Sequence, residues 1–257
     1  MEKGAARGRE EEEQGIVFGK NAVAETLKSA SRADTLYLST EADERSLAYL
    51  AALAKERGAV VKKLHPLKLQ KLCGSERHQG VALQCALCEY CEVEDMLELA
   101  AERGEEPFLL LLDGLEDPHN LGAVIRTAEC AGAHGVIIPK RGGCSITPAV
   151  VRSAAGAATH MKIARVSNLA SQIRELKKLG IFFYCAEADG ESCFEADLTG
   201  PAALVVGSEG QGVSRLSREL CDRTIALPLK GRIGSLNASV AAGVLMYEIV
   251  RQRALKA

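Results

Sequence analysis

Phe108-Leu-Leu-Leu-Leu-Asp-Gly-Leu-Glu-Asp-Pro-His-Asn-Leu-Gly-Ala-Val-Ile-Arg-Thr127 contains an apolar run, a turn and the start of a helix in immediate succession. The run lacks polar alternation, so a strand built from it is covered on both faces, as in a parallel sheet with helices on either side. Asp, Pro, His and Asn crowd the turn, and helical periodicity resumes near Asn120, a residue type suited to the N-cap. Arg126 then projects from the second helical turn, and Gly122 leaves room for a close approach.

The same grammar continues downstream. Apolar runs at Gly135-Val-Ile-Ile138, Met161-Lys-Ile-Ala164, Ile181-Phe-Phe-Tyr-Cys185, Ala203-Leu-Val-Val206 and Thr224-Ile-Ala-Leu-Pro228 alternate with helical segments, which predicts one parallel α/β domain over 107–257. Upstream, strands at 16–18, 35–38, 59–61 and 80–87, with helices at 22–28 and 46–57, predict a small α/β unit over 15–90. Between them Glu89, Glu92, Glu94, Asp95, Glu98, Glu102, Glu105 and Glu106 mark an acidic linker at 91–106, with a helix at 93–102 whose apolar side carries Met96, Leu97, Leu99 and Ala100. Residues 1–14, rich in glutamate and without periodicity, read as a disordered leader.

Composition narrows the function classes. At 257 residues and 47% hydrophobic, the chain has enough apolar material for two cores. It has no apolar run of membrane-spanning length, and its first thirteen residues are charged where a signal peptide is apolar, so we expect a soluble, cytoplasmic protein. Nine cysteines, scattered and odd in number, suit reduced thiols. Cys85, Cys88 and Cys91 have metal-like spacing but no fourth thiolate nearby; on a strand over 80–90, Cys85 and Cys88 face opposite ways, so they read as buried or edge thiols and no metal is expected. A net charge of −2 makes the location of basic residues matter more than their sum.

Two further loops carry chemistry. Leu204-Val-Val-Gly-Ser-Glu-Gly-Gln-Gly212 puts Glu209 in a glycine turn at the carboxyl end of a buried strand, where open α/β sheets place their ligands. Its glycine spacing is not a dinucleotide fingerprint, and no Gly-Lys-Ser/Thr follows; the plainer reading is a tight turn with an exposed glutamate. Lys230-Gly-Arg-Ile-Gly-Ser-Leu-Asn237 opens into the alanine-rich helix that begins at Ala238, and Ser235 and Asn237 are candidates to cap it, a role worth about 1 kcal/mol.

Asn120-x-Gly-x-x-x-Arg-Thr127, Val206-Gly-x-Glu-Gly-x-Gly212 and Leu227-Pro-x-x-Gly-x-x-x-Ser-Leu-Asn-x-Ser-Val-Ala241, in that order, resemble the three motifs of the SpoU (TrmH-like) RNA ribose methyltransferases. Gly19-Lys-Asn-Ala-Val-Ala-Glu25 and His78-Gln-Gly-Val-Ala82 are similar to the small RNA-binding domain of the branch that makes 2′-O-methylguanosine in the peptidyl-transferase loop region of 23S ribosomal RNA. The resemblance implies a SPOUT-type sheet with a deep trefoil knot, a feature topology rules would never suggest. It also implies a homodimer and S-adenosylmethionine as cofactor, contacted by the backbone of Gly207, Leu227 and Leu236. The reacting site would be lined by Asn120, Arg126, Glu209, Ser235 and Asn237. A guanidinium is a poor base, so Arg126 is expected to clamp the target and stabilise developing charge. Lys20, Asn21, Lys62, Lys63, Lys68, Lys71, Arg77 and His78, with Arg141, Arg152, Lys230 and Arg232, are candidates to track phosphates. A transfer-RNA ribose methyltransferase and a noncatalytic RNA-binding assembly factor on the same fold are the alternatives.

Overall fold

The computed structural model describes residues 14–29, 33–86 and 88–256. They form two compact units, one of the described residues up to Glu89 together with Ile146–Arg152, the other of Tyr90–Ser145 with the described residues from Ser153 onward.

In chain order the first unit runs β1 (Gln14–Phe18), α1 (Lys20–Ser29), β2 (Ala33–Ser39), α2 (Glu44–Glu56), β3 (Val60–Leu64), α3 (Pro66–Cys73) and β4 (Val81–Ala86). Its sheet has the order β1-β4-β2-β3, with β4 antiparallel to both neighbours and β2 parallel to β3. Leu47, Leu50 and Ala54 bury one face of α2, whose start is held by the Asp43 side chain accepting from Arg45 N. Helix α3 was not expected. Only Leu69 is buried along it, so its apolar periodicity is faint, while His65 at the N-cap, Pro66 at N1 and left-handed Gly74 at its end fix it through its termini.

Other boundaries also depart from expectation. Of the leader expected over 1–14, residues 1–13 lie outside the described residues, and Gln14 opens β1, paired with Ala86. β4 stops at Ala86, so Cys88 lies beyond the strand. Burial and the nearby Asp34 carboxylate push the Cys85 thiol up to about 12, the behaviour of a packed thiol.

The second unit begins with α4 (Glu94–Arg103), which is part of its packing and so more than a linker: Met96 and Ala100 are fully buried, and Met96 joins the main core cluster. Then come β5 (Phe108–Asp113), α5 (Pro118–Cys130), β6 (Gly135–Pro139), α6 (Pro148–Ser153, all but its last residue belonging to the first unit), a 3-10 turn at Ala157–Thr159, β7 (Ile163–Val166), α7 (Leu169–Lys178), β8 (Phe182–Ser192), β9 (Ala202–Gly207), α8 (Arg215–Leu220), β10 (Arg223–Ala226) and α9 (Ala238–Lys256). The six strands are all parallel, in the order β10-β8-β9-β5-β6-β7. Five consecutive residues of β5 and all of β9 are buried, which is why these segments read as unbroken apolar runs.

From β5 the chain steps outward through β6 and β7, then returns to build β8, β9 and β10 on the other side. The junction of β5 and β9 is therefore the point where strand order reverses, and Asp113 and Gly207 face each other across it in register. Ligands of open parallel sheets bind in the crevice outside the carboxyl ends of strands at such a point. Helix α9 packs on α5 and β9. At its far end Arg253 donates to the carbonyls of Glu106, Pro107 and Gly200 and lies over the Phe108 ring, pinning the last helix to the amino ends of the central strands.

Candidate active site

The turn after β5 is built by Asp117, whose side chain accepts from His119 N at 2.9 Å while Pro118 takes the first helical position. Asp117, not Asn120, is thus the N-cap of α5: a proline at N1 with an Asx oxygen before it outcompetes an asparagine three residues on. Asn120 instead lies inside the first turn, 6% exposed. The earlier helix start also moves Arg126 to the third turn, where it is exposed and makes no hydrogen bond among the described residues.

The turn after β9 depends on its glycines. A Cβ on Gly207 would lie 2.0 Å from the backbone carbon of Gly212, so only glycine lets the chain fold back on itself here. The turn is closed by paired Ser208 and Gly212 backbone bonds. Asp113 Oδ2 accepts from Ser214 N at 3.0 Å and from its hydroxyl at 2.6 Å, tying the end of β5 to the residue before α8.

The third segment joins these two through Asn237. Its Oδ1 accepts from Ser239 N at 3.0 Å and Val240 N at 3.2 Å, capping α9. Its Nδ2 donates to Asn120 Oδ1 at 2.9 Å and to Glu209 Oε1 at 2.5 Å. One side chain therefore starts the last helix and bridges the other two loops. Ser235 takes no part in the cap. The buried Nδ2 of Asn120 has no partner among the described residues, an unpaired donor at this junction.

Beside the bridge lies a cavity of about 490 Å³, within the usual size of small-molecule sites. Gly207, Leu227 and Leu236 line it, as do Glu209, Ser235 and Asn237. Val206, Ile225, Leu229 and Leu245 add apolar wall. A second cavity of about 570 Å³, lined by Asp113, Glu116, Asn120, Glu209 and Ser214 among others, adjoins it through the shared residues Ser208, Glu209 and Gly212. Seven of the eight residues expected at the site thus gather around one junction of two cavities; Arg126, exposed on α5, lines neither.

Sequence reasoning missed the excursion at residues 186–190. β8 pairs with β10 through Cys185 and again from Glu191, so the intervening residues leave that ladder, and Ala186, Glu187 and Ala188 line the first cavity. Glu187 Oε1 accepts from Val213 N at 2.5 Å. The Arg218 guanidinium, 2.8 Å from Asp189, holds that carboxyl below the usual carboxylate range and ties the excursion to α8. The signal was Ala186-Glu-Ala-Asp-Gly190 directly after an apolar strand, a break in composition with no motif attached. Among the described residues no group of three or more His, Cys, Asp or Glu is arranged to hold a metal.

In the first unit, the two quoted upstream motifs meet at one corner: Gln79 Oε1 accepts from Lys20 N at 2.8 Å, and His78 Nδ1 accepts from Gly80 N at 3.0 Å. Gln79 holds φ at 52°, unusual for a residue with a side chain. Lys62, Lys63, Lys68, Lys71 and Arg77 are all exposed on this unit.

Residues 107–247 match the SpoU rRNA methylase family, and residues 16–91 match the domain described as RNA 2′-O ribose methyltransferase substrate binding. A Bacillus subtilis protein assigned by name to the TrmH family of tRNA/rRNA methyltransferases is 44% identical over 238 residues, spanning 92% of this chain and 95% of that one. The SpoU methyltransferase AviRb from Streptomyces viridochromogenes, solved in complex with AdoMet, superposes with a TM-score of 0.76 at 25% identity, covering 96% of this chain and 93% of that one. An RNA methyltransferase assigned to the TrmH family from Porphyromonas gingivalis superposes with a TM-score of 0.77 at 28% identity, covering 95% and 92%.

Proposed function

This chain belongs to the SpoU rRNA methylase family, and we propose that it methylates the 2′-hydroxyl of a guanosine ribose in the peptidyl-transferase loop region of 23S ribosomal RNA, with S-adenosylmethionine as methyl donor. The observation that carries the reading is the Asn237 bridge, which brings three separate loops together at the mouth of a cavity of suitable size. The cavity fits the cofactor: its walls are mostly apolar, and its only ionisable lining residues are the carboxylates Glu187 and Glu209, which suit a ligand carrying a sulfonium.

When bound, S-adenosylmethionine would supply an activated methyl group: its S–CH3 bond breaks as the ribose O–CH3 bond forms, the hydroxyl proton passes to water, and S-adenosylhomocysteine, a thioether, is left. Positioning the ribose is the protein's task. Gly207, Leu227 and Leu236 hold the cofactor. Glu209, kept in place by Asn237 Nδ2 and by Ala238 N at 3.4 Å, orients the ribose together with Ser235 and Asn237. Asn120, whose Oδ1 accepts from Asn237 Nδ2, holds that side chain in place at the reacting site. Arg126, exposed and uncommitted, clamps the target and stabilises negative charge developing on the attacking oxygen.

The same reading includes a trefoil knot in the C-terminal segment and a homodimer. Val240, Val244, Tyr247 and Leu255 form an exposed apolar stripe at helical spacing on α9, and Ile233 is 78% exposed just before it; this is the surface we assign to the second copy. The first unit, with its Lys20–Gln79 corner and exposed lysines, binds the RNA by shape and phosphate contact. Among the described residues no helix is long and apolar enough to cross a membrane, in keeping with work in the cytoplasm.

The test is transfer of labelled methyl from S-adenosylmethionine to unmodified 23S ribosomal RNA and, in parallel, to unmodified transfer RNA, with Arg126→Ala as control. Label on a 23S guanosine ribose, lost in the variant, is the expected result. Label on transfer RNA alone moves the protein to the alternative substrate, which the tRNA/rRNA naming of its relatives keeps in view.

A further inference from the structure

Glu187 is one of two carboxylates lining the 490 Å³ cavity, and like Glu209 it is bonded through one oxygen only among the described residues, but it stands on the strand excursion away from the Asn237 bridge. Oε1 accepts from Val213 N, and this seat exists because Gly212 has no side chain: a Cβ there would lie 2.4 Å from Oε1. Oε2 makes no hydrogen bond among the described residues. The other carboxylate of the cavity, Glu209, is engaged by Asn237 and Ala238 on the side where the reacting loops converge. The backbone carrying Glu187 is held as well, since Asp189 on the same excursion pairs with Arg218. A carboxylate anchored by one oxygen, with no partner for the other among the described residues, on a side chain that lines an apolar cavity, is prearranged to accept from a ligand.

We infer that Glu187 is a cofactor-binding residue, its Oε2 accepting hydrogen bonds from donors of S-adenosylmethionine. The inference rests on the cavity being the cofactor's. Three parts of that molecule carry such donors, the ribose diol, the adenine amino group and the α-ammonium group. An acidic residue holding ribose hydroxyls is a solution other parallel-sheet nucleotide sites use. Here it would sit on a strand excursion next to the β9 turn, and its anchoring oxygen would couple cofactor binding to the shape of that turn.

The experiment is titration calorimetry of wild type, Glu187→Gln and Glu187→Ala with S-adenosylhomocysteine, which has all three donor groups, and with methylthioadenosine, which lacks the α-ammonium group. Glutamine can still accept from Val213 N, so it separates ligand contact from turn support; unfolding midpoints of the free proteins report any loss of fold. Hydrogen bonds to charged groups predict affinity about ten-fold to a hundred-fold weaker in Glu187→Gln. Equal loss for both ligands assigns the nucleoside end, the diol or the adenine amino group, and loss for S-adenosylhomocysteine alone assigns the ammonium. Wild-type affinity in Glu187→Gln overturns the inference, including the case in which only Glu187→Ala is weakened, which reduces the residue to a support for Val213. Failure of wild type to bind S-adenosylhomocysteine would instead sink the cofactor reading itself.

Discussion

Replacing Asn237 with alanine removes two separable sets of bonds. The first is the cap on α9, through Ser239 N and Val240 N, worth about 1 kcal/mol. The second is the bond to Asn120 Oδ1 at 2.9 Å. Asn120 is 6% exposed and its Nδ2 already lacks a partner among the described residues, so the variant leaves a buried amide with no partner among them, at about 1–3 kcal/mol. Asn237 is itself exposed and water can reach the vacated side, which places the second contribution at the low end; together they amount to about 2–3 kcal/mol. Asn237→Ser keeps an oxygen for the cap but loses the bridge, so it should cost about 1–2 kcal/mol. Urea unfolding of both variants measures this difference. Methyl transfer should fall in both by about a hundred-fold, because Glu209 loses its side-chain donor in each. A serine variant as stable as wild type, or near-normal transfer by either variant, would refute the bridging role.

Arg126→Ala should leave the urea midpoint within about 0.5 kcal/mol of wild type, since the side chain is exposed and makes no hydrogen bond among the described residues, while methyl transfer collapses. Gly207→Ala should abolish calorimetric binding of S-adenosylhomocysteine, because its Cβ would meet the Gly212 backbone at 2.0 Å and the β9 turn must open. Tyr247→Asp should halve the mass seen by light scattering, as the apolar stripe on α9 is interrupted by a charge. Stability should also depend on pH through His134, which is 1% exposed, accepts from Phe108 N and pairs with Glu105. Burial lowers its pKa below 6.5, outweighing the Glu105 carboxylate. Below about pH 6.5 the unfolded chain takes the proton more readily than the native state, so stability falls with pH through that window. A pH series of urea midpoints from 7.5 to 5.5 should show the fall, and it should be flatter in His134→Gln.

Much of the architecture was legible because parallel strands buried on both faces need unbroken apolar runs. Phe108–Asp113 and Ala202–Gly207 are such strands, and the expected residues Gly207 and Glu209 lie at the end of the second and in the turn after it. Reading failed where a local competitor decided the outcome. Asp117 with Pro118 took the cap expected of Asn120, and α3 formed on terminal signals while burying only Leu69. Met96 carried α4 into the second unit's core although the surrounding segment is strongly acidic.

From the amino-acid sequence alone came the alternation of strands and helices, the residues of the three loops and the family they resemble, since these depend on local order along the chain. Only the tertiary structure decided that Asn237 joins Asn120 across 117 positions and Glu209 across 28, and that Asn120 keeps a buried donor without a partner among the described residues. It alone brought Glu187 to the cavity. Strand order in a parallel sheet is set by packing between segments distant in sequence, and no local periodicity encodes which strand ends will meet.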